Sequence, residues 1–390
     1  MANTSERTKF FTESIIRRMT RISNECGAIN LSQGFPDFEP PLELQEELKN
    51  VASKGPHQYA ITWGAPNFLE ALAKKQSRFM GIPIEAQKNI VATCGSTEAM
   101  IAALMSVVNS GDKVIVFSPF YENYGADTVL IDATAIYVPL IPPYFHFDKK
   151  ALREAFEQKP KAIIICNPNN PIGKVFNKDE LSYIASLAEE FDTWVITDEV
   201  YEHIVYAPNK HIYFASLPNM FERTISCGSL SKTYSITGWR LGYIIASEKV
   251  INAARKVHDF LTVGAAAPLQ EAAVKALNFA DSYYDELISH YTRKKKLFLK
   301  LLDEANLSYI EPQGAYYVMV DISEFNVKSD IEFCEWLACE VGVAAVPGST
   351  FFKENIHNFI RFHFAKKDET LLEAGKRLLK LRELAYKHYV

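Results

Sequence analysis

The chain has 390 residues, of which 48% are hydrophobic and 23% charged, which is typical of a folded globular protein and excludes a disordered or fibrous one. This length fits one large domain with a smaller one. The chain has 42 Lys and Arg residues and 47 Asp and Glu residues, so its formal net charge is −5. This net charge excludes an overall electrostatic attraction to nucleic acid or anionic membranes.

The cysteines and the N-terminal segment bear on the cellular compartment. The first residues are polar and lack the basic-then-apolar pattern of a signal peptide. No apolar run approaches the roughly 20 residues that span a bilayer. The six cysteines form no C-x-x-C pair, so we expect buried thiols in a reducing compartment and no disulfide framework. They are Cys26, Cys94, Cys166, Cys227, Cys334 and Cys339. These features predict a cytoplasmic protein that binds neither membrane nor nucleic acid.

In chain order, a short N-terminal helix is followed by an irregular segment that contains Gly34-Phe35-Pro36-Asp37. From about residue 66, helical spacing of apolar residues alternates with short apolar runs bounded by turn residues. The predicted helices cover 68–79, a stretch that opens at Gly95-Ser96-Thr97, and 179–190. The predicted strands cover 113–117, 135–138, 162–166, 194–197 and 224–227. This alternation predicts an α/β fold with a mostly parallel sheet covered by helices.

The last third of the chain has a different pattern. It predicts a long helix over 271–304, strands over 315–320 and 359–364, and helices over 330–340 and 367–386. We interpret the charge run Arg293–Lys296 as a solvated helix face. The pattern predicts a smaller α+β domain completed by the N-terminal segment. The expected division is a large domain over 46–275 and a small domain formed by 1–45 and 276–390.

Polar side chains follow three of the predicted strands at the points where the strands end. The segment 167–173 follows the strand 162–166, and 198–201 follows 194–197. Lys232 comes shortly after the strand 224–227, and Arg240 lies beyond it. Ligands of open α/β sheets bind at the carboxyl ends of the strands. Such convergence on one rim is not expected from packing alone and predicts a ligand site.

Four motifs on this rim resemble the class I and II aminotransferase family of fold type I pyridoxal-phosphate enzymes. They are N-P-N-N-P-I-G at 167–173, D-E-V-Y at 198–201, S-L-S-K at 229–232, and the arginine of T-G-W-R-L-G-Y at 237–243. The S-x-S-K motif alone is weak, whereas the four motifs in this order are a strong signal. The resemblance runs from Gly34 to Phe362. It implies pyridoxal 5′-phosphate as cofactor and a large domain with a mostly parallel sheet covered by helices, joined to a smaller α+β domain.

The resemblance implies a role for each reactive side chain. Lys232 would hold the cofactor's aldehyde as a Schiff base and move the substrate's Cα proton. Asp198 would keep the cofactor's ring nitrogen protonated. Tyr201 and Asn170 would hydrogen-bond the ring's 3-oxygen. Taken alone, these residues could be a surface lysine, a turn aspartate and a turn asparagine.

The implied phosphate site combines a cation, hydroxyl groups and a helix N-terminus. Its residues are Arg240, Ser229, Ser231, Gly95, Ser96 and Thr97. The resemblance also implies that Phe120 stacks on the cofactor and that the neighbouring subunit lends Tyr59 to the phosphate, in a homodimer with shared active sites. Alone, Gly95-Ser96-Thr97 could be a plain helix cap, Phe120 a core residue, and Tyr59 a core or surface residue.

Arg361 is the implied receptor for the substrate's α-carboxylate, since a planar guanidinium binds a carboxylate with two hydrogen bonds. By pattern alone Arg361 could be a solvated strand cation. Asn170 and the backbone of Gly34 would contact the same carboxylate. Phe35 and Tyr121, if they line the side-chain pocket, would suit an aromatic or thioether group.

Two further segments narrow the family. S-Q-G-F-P-D-F at 32–38 and H-Q-Y-A-I-T-W-G at 57–64 resemble the kynurenine, glutamine and methionine aminotransferase branch. The segment 263–267 is apolar, whereas dicarboxylate-specific relatives offer a second arginine there. We expect His203 and His258 to be polar-network or surface residues. No metal-ligand cluster and no G-x-G-x-x-G loop is present in the sequence.

The leading hypothesis is a transaminase that moves the amino group of an L-amino acid to a 2-oxo acid. One alternative is a C–S β-lyase of the same fold, because both reactions begin by removing the Cα proton. An alternative of another class is a non-catalytic, cofactor-binding regulator. Such regulators usually carry an added helix-turn-helix domain, and the enzyme-like pattern of this chain starts almost at once.

Overall fold

The computed structural model describes residues 3–10 and 13–389. Its helices are α1 Ile15–Glu25, α2 Leu42–Lys54, α3 Pro66–Met80, α4 Ala86–Asn89, α5 Ser96–Val107, α6 Glu122–Leu130, α7 Lys149–Glu157, α8 Lys178–Glu190, α9 Glu248–Thr262, α10 Ala267–Leu277, α11 Asp281–Glu304, α12 Asp330–Trp336, α13 Asp368–Leu378 and α14 Leu381–Tyr389. Its strands are β1 Ile29–Asn30, β2 Ile90–Thr93, β3 Lys113–Ser118, β4 Thr134–Ile141, β5 His146–Phe147, β6 Ala162–Cys166, β7 Trp194–Asp198, β8 Thr224–Ser229, β9 Gly242–Ile245, β10 Tyr309–Ile310, β11 Tyr317–Asp321, β12 Val343–Ala344, β13 Val346–Pro347 and β14 Phe359–His363. None of these helices is long and apolar enough to cross a membrane.

The larger sheet has the strand order β2-β9-β8-β7-β6-β3-β4-β5. The five central strands from β8 to β4 run parallel, and β9 and β5 run antiparallel to their neighbours. Strand β6 illustrates why these strands read as continuous apolar runs. Its alternate residues Ile163 and Ile165 enter one core, while Ile164 enters the core on the opposite face. The predicted mostly parallel sheet with helices on both faces is confirmed.

Local signals explain where the predicted helices begin and end. Helix α3 starts with Pro66, whose fixed φ suits a first helical position, and stops at Gly81, which has φ 69° in the left-handed region. Helix α8 begins with a capping box in which Asn177 and Glu180 bind each other's backbone N–H groups. These helices place the site-bearing strands between them.

A second, antiparallel sheet has the order β10-β11-β14-β13. Strand β14 occupies its interior and carries Arg361 opposite Met319 of β11. Strand β1 pairs in parallel with β12, which joins the N-terminal segment to the C-terminal part of the chain. This pairing links residues 29–30 to residues 343–344, and the division into a large domain and a small domain that includes the N-terminal segment stays a prediction.

Three helix predictions were wrong in detail. The predicted helix over 271–304 is two helices, because α10 ends at Leu277 and α11 begins at Asp281. The side chain of Asn278 turns back to the carbonyl of Val274 at 2.9 Å. The helix over 330–340 gives way to a π-helical turn at Leu337–Val341, and that over 367–386 divides into α13 and α14. In each pair both pieces bury an apolar face, so the spacing of apolar residues continues across the break.

The sequence suggested that the charge run Arg293–Lys296 is a solvated helix face, but two of its four residues are buried. Lys294 and Lys295 are buried in the contact between α11 and its neighbours. Their ammonium groups lie 3.0 Å from Asp368 and 2.7 Å from Glu311. Burial of a charge is tolerated where a partner compensates for lost hydration, and sequence spacing alone does not reveal these partners.

The expectation of six free thiols was wrong for two cysteines. A disulfide joins Cys26, directly after α1, to Cys339 in the π-helical turn, with a Cα–Cα distance of 5.0 Å. The two residues are 313 positions apart, so no local spacing could have revealed the pair. The other four cysteines are free thiols.

Candidate active site

A cleft of about 820 Å³ lies where β6, β7 and β8 end and meet β14 and the N-terminal segment. Its walls contain most of the residues singled out in the sequence. Those in the cleft are Gly34, Phe35, Ser96, Thr97, Tyr121, Asn170, Asp198, Tyr201, Ser231, Lys232, Arg240 and Arg361. Residues from distant parts of the chain therefore converge on one space.

Lys232 follows β8 and lies half-buried in this cleft. Its amine donates a hydrogen bond to the Gly34 carbonyl at 3.2 Å. The pKa of Lys232 is lowered to about 8, mainly by burial and then by the positive charges of Arg240 and Arg361, while the charge of Asp198 opposes the change. A lysine with this pKa has a substantial neutral fraction near pH 8 and is a competent nucleophile.

Asp198 is the last residue of β7 and is buried. Its Oδ2 accepts a hydrogen bond from the Tyr124 hydroxyl at 2.7 Å, and its Oδ1 accepts one from the Val200 N–H at 3.4 Å. Burial raises the pKa of Asp198 above its ordinary value, although these two donors and Lys232 oppose the rise. A cation bound against this carboxylate would relieve the cost of burying its charge.

Arg361 lies in the middle of β14 with 1% of its surface exposed. Its guanidinium donates to Asn170 Oδ1 at 2.7 Å and to the Ser32 carbonyl at 2.8 Å. It lies over the rings of Tyr317 and Phe351, at 4.3 Å and 4.7 Å from their centres. Its Nε has no partner, and no carboxylate of the described residues lies within 4.0 Å. A buried guanidinium with no counter-ion among the described residues is suited to pair with an incoming carboxylate.

A tyrosine cluster closes the floor of the cleft. The hydroxyls of Tyr201 and Tyr317 lie 2.8 Å apart, and the Tyr316 hydroxyl donates to the Gly34 carbonyl at 2.9 Å. Burial raises the pKa of Tyr201 well above its ordinary value, so its hydroxyl stays protonated. A Cβ at Gly34 would lie 2.8 Å from the ring of Tyr317, which explains the glycine. Sequence analysis missed Tyr316 and Tyr317, because no motif containing them had been singled out.

Another part of the cleft brings a cation close to the start of a helix. Gly95 has φ 81° and precedes α5, whose first residues Ser96 and Thr97 face the cleft. The first N–H groups of a helix have no partners within it and favour an anion. A Cβ on Gly95 would lie 2.7 Å from the Cζ of Arg240, so the glycine lets the guanidinium approach the helix start. Ser231 completes this end.

Four predicted site residues do not line the cleft: Ser229, Gly95, Phe120 and Tyr59. The hydroxyl of Ser229 lies 2.7 Å from that of Ser231 and 2.9 Å from the Leu241 carbonyl, so it contacts the backbone behind the cleft. Phe120 packs against Tyr137, with ring centres 5.1 Å apart. Tyr59 is 87% exposed and borders a separate hollow with residues 57–61 and 263–268.

The two histidines singled out in the sequence lie outside the residues that line the cleft. His258 is buried, with Nδ1 2.6 Å from Glu98 Oε1 and Nε2 2.8 Å from the Thr62 carbonyl. His203 packs on the ring of Tyr284, and its Nε2 lies 3.2 Å from Glu202. Within residues 3–10 and 13–389, no group of three His, Cys, Asp or Glu residues is placed to hold a metal ion.

Comparison with known proteins gives a consistent result. Residues 27–378 match the family model for aminotransferase class I and II. The chain is 36% identical over 369 residues to methionine aminotransferase of Escherichia coli K12, covering 94% of this chain and 96% of that protein. It is 33% identical over 392 residues to kynurenine–oxoglutarate transaminase 3 of Homo sapiens, covering 93% and 86% of the two chains. The solved structure of N-succinyldiaminopimelate aminotransferase from Mycobacterium tuberculosis superposes with a TM-score of 0.94 at 32% identity, covering 97% of this chain and 100% of that one.

Proposed function

The chain belongs to the class I and II aminotransferase family and is a pyridoxal-phosphate-dependent transaminase, and we propose that the cleft around Lys232 is its active site. The proposed donors are L-amino acids with an aromatic, methionine or glutamine side chain, and the acceptor is a 2-oxo acid. One observation carries this assignment: an amine of lowered pKa, a buried carboxylate and a buried arginine without a counter-ion share one cleft.

The groups of this cleft match what pyridoxal phosphate requires. The amine of Lys232 suits the aldehyde, the carboxylate of Asp198 suits a protonated ring nitrogen, and the α5 N-terminus with Arg240 suits a phosphate. When bound, the cofactor supplies an electron sink for the charge that develops at the substrate's Cα. Gly95 and Asp198 support this fit, because a Cβ at Gly95 would fill the space beside Arg240, and no Lys or Arg of the described residues lies within 4.0 Å of the buried Asp198 carboxylate.

The residues of the cleft have separate proposed roles in binding the substrate and moving its proton. Arg361 binds and orients the α-carboxylate of the substrate, and Asn170 holds the guanidinium in place from one side. Lys232, once released as a free amine, moves a proton from and to the substrate's Cα, which its pKa near 8 permits. Tyr201 remains a hydrogen-bond donor toward the cofactor because its pKa is high. Ser231, Ser96 and Thr97 contribute hydroxyl groups to the phosphate end.

The proposed preference for aromatic and methionine donors rests on the wall of the cleft nearest the N-terminal segment. Phe35, Tyr121 and Ile16 line it, and the ring of Tyr121 meets that of Tyr124 edge-on at 5.9 Å. Aromatic and thioether side chains pack favourably against such surfaces. Two of the similar proteins are named for methionine and kynurenine, which supports the same class of donor.

We also propose a homodimer in which each active site receives Tyr59 from the partner. Tyr59 is 87% exposed and Phe260 is 92% exposed, which leaves large apolar side chains in solvent in the single chain. Ile61 and Val263 are also exposed, and they line one hollow together with Tyr59. Contiguous exposed apolar surface is typical of an interface between chains. Analytical ultracentrifugation tests the assembly, and a monomer at micromolar concentration would contradict it.

The cytoplasmic location stays a prediction. The disulfide between Cys26 and Cys339 is not expected in the cytoplasm, because disulfides are rare in reducing compartments. Detection of the protein with an antibody in cell fractions reports its location. Alkylation of free thiols before lysis shows whether Cys26 and Cys339 are oxidised in the cell.

The experiment that tests the function is the absorption spectrum of the purified holoprotein with single L-amino acids. Methionine, phenylalanine and glutamine should convert the cofactor to its amine form, aspartate should do so poorly, and a 2-oxo acid should reverse the change. Release of ammonia and a 2-oxo acid, without the amine form, would instead identify a β-lyase. No spectral response to any amino acid would contradict the proposal.

A further inference from the structure

Arg17 brings to the cleft a positive charge that the chemistry described so far does not use. Among the described residues, the cations that line the cleft are Lys232, Arg240, Arg361 and Arg17. The first three are proposed to hold the cofactor's aldehyde, its phosphate and the substrate's α-carboxylate. Arg17 lies in the first turn of α1, where its N–H donates to the N-cap hydroxyl of Ser14 at 3.4 Å.

Contacts at both ends of α1 hold this helix against the cleft. The hydroxyl of Ser14 donates to Glu122 at the start of α6, at 2.5 Å. At the other end, the disulfide joins Cys26 to Cys339. The backbone of Arg17 is therefore fixed beside the cleft, and its long side chain is free to reach into it.

The charge of Arg17 is also available, unlike that of its neighbours on the same helix. Arg18 forms an ion pair with Glu335, and Arg21 lies 3.0 Å from Glu13. In the part of the chain that the structure describes, no carboxylate lies within 4.0 Å of the Arg17 guanidinium, and its side chain is exposed. A partnerless guanidinium at the wall of a substrate cleft is suited to bind a carboxylate.

We infer that Arg17 binds the distal carboxylate of a dicarboxylic 2-oxo acid, the amino acceptor, while Arg361 binds its α-carboxylate. This inference rests on the proposed function. The same cleft could then accept both an apolar donor and an acidic acceptor. With an apolar donor, the donor's side chain packs on Phe35 and Tyr121 and Arg17 stays hydrated. An acidic acceptor instead draws Arg17 inward. The apolar segment 263–267 contains no Lys or Arg that could take this role.

The test compares the variants Arg17→Gln, Arg17→Lys and Arg21→Gln in the holoprotein. Arg21→Gln is the matched control, because Arg21 lies on the same helix but does not line the cleft. Isothermal titration calorimetry gives the dissociation constants of glutarate and of pentanoate, in which a methyl group replaces one carboxylate. Arg17→Gln should lower the preference for glutarate over pentanoate about ten- to a hundredfold, the effect of losing one charged hydrogen-bonded pair.

Stopped-flow spectra of the amine-form protein give a second readout. The half-saturating concentration of 2-oxoglutarate should rise in Arg17→Gln by a larger factor than that of 2-oxohexanoate, and Arg17→Lys should restore part of the difference. Equal losses for both acids, or an equal effect of Arg21→Gln, would overturn the inference. Failure of the wild-type protein to react with any amino acid would refute the proposed function separately, because glutarate binding would still report on Arg17.

Discussion

Asp127 offers a sharp test of the electrostatics behind Asp198. It lies one turn after Tyr124 on α6 and is buried, and its Oδ2 has no hydrogen-bond partner among the residues that the structure describes. Burial, followed by repulsion from Asp198, raises the pKa of Asp127 to about 7. Asp127 is thus expected to be protonated in the folded protein at pH 6, where an ordinary aspartate is ionised.

The sign of the effect on stability follows from the raised pKa. At pH values below about 4 the folded and unfolded chains both hold this proton. As the pH rises toward 7 only the unfolded chain releases it, so the free energy of unfolding falls, and the loss is complete above about 7. A shift of about three pH units corresponds to about 4 kcal/mol, of which about 3 kcal/mol is lost between pH 5 and pH 8. For a chain of this length that is about 4 °C in Tm.

The perturbation is Asp127→Asn, which removes the titrating group and keeps its shape. Scanning calorimetry of the cofactor-free protein should show the Tm of the variant, relative to wild type, rising by about 4 °C between pH 5 and pH 8. Asp285→Asn, at an exposed position on α11, is the control and should show no such trend. A Tm difference for Asp127→Asn that is constant across this pH range would refute the reasoning.

Three further predictions follow from the cleft and the thiols. Arg361→Lys loses the two-pronged guanidinium and should raise the half-saturating concentration of the amino-acid donor about tenfold or more in the spectral assay; an unchanged value would contradict the carboxylate assignment. Gly95→Ala places a Cβ 2.7 Å from the Cζ of Arg240 at a position with φ 81°. Titration with pyridoxal phosphate should therefore show weaker binding of the cofactor to this variant, and an affinity equal to that of the wild type would argue against a phosphate site there. Alkylation in denaturant without reductant, followed by mass spectrometry, should label the four free cysteines and leave Cys26 and Cys339 unlabelled.

The sequence predicted those features that depend on neighbours along the chain. Strand β6 was predicted with its bounds because a run of five apolar residues ends at a turn motif. The residues after β6, β7 and β8 were expected to meet, since parallel strands present their carboxyl ends at one edge. Arg361 was identified through its family motif, whereas its burial needed the structure.

The features that sequence analysis missed depend on contacts between distant residues. The disulfide partners are 313 positions apart, and the ion partners of Lys294 and Lys295 lie on other elements. Arg17 was one of several arginines in a polar helix, and only the position of α1 beside the cleft distinguishes it. Asp127 likewise carries no motif, and its raised pKa results from tertiary burial beside Asp198.

The central claim is that Lys232 holds the cofactor, and borohydride reduction of the holoprotein tests it most directly. Reduction fixes the bond between the lysine amine and the cofactor, and mass spectrometry of the digest locates it. The mass of the cofactor should appear on the peptide that contains Lys232, and Lys232→Ala should lose both this label and the spectral response to methionine. A label on another lysine, or one that persists in Lys232→Ala, would contradict the account.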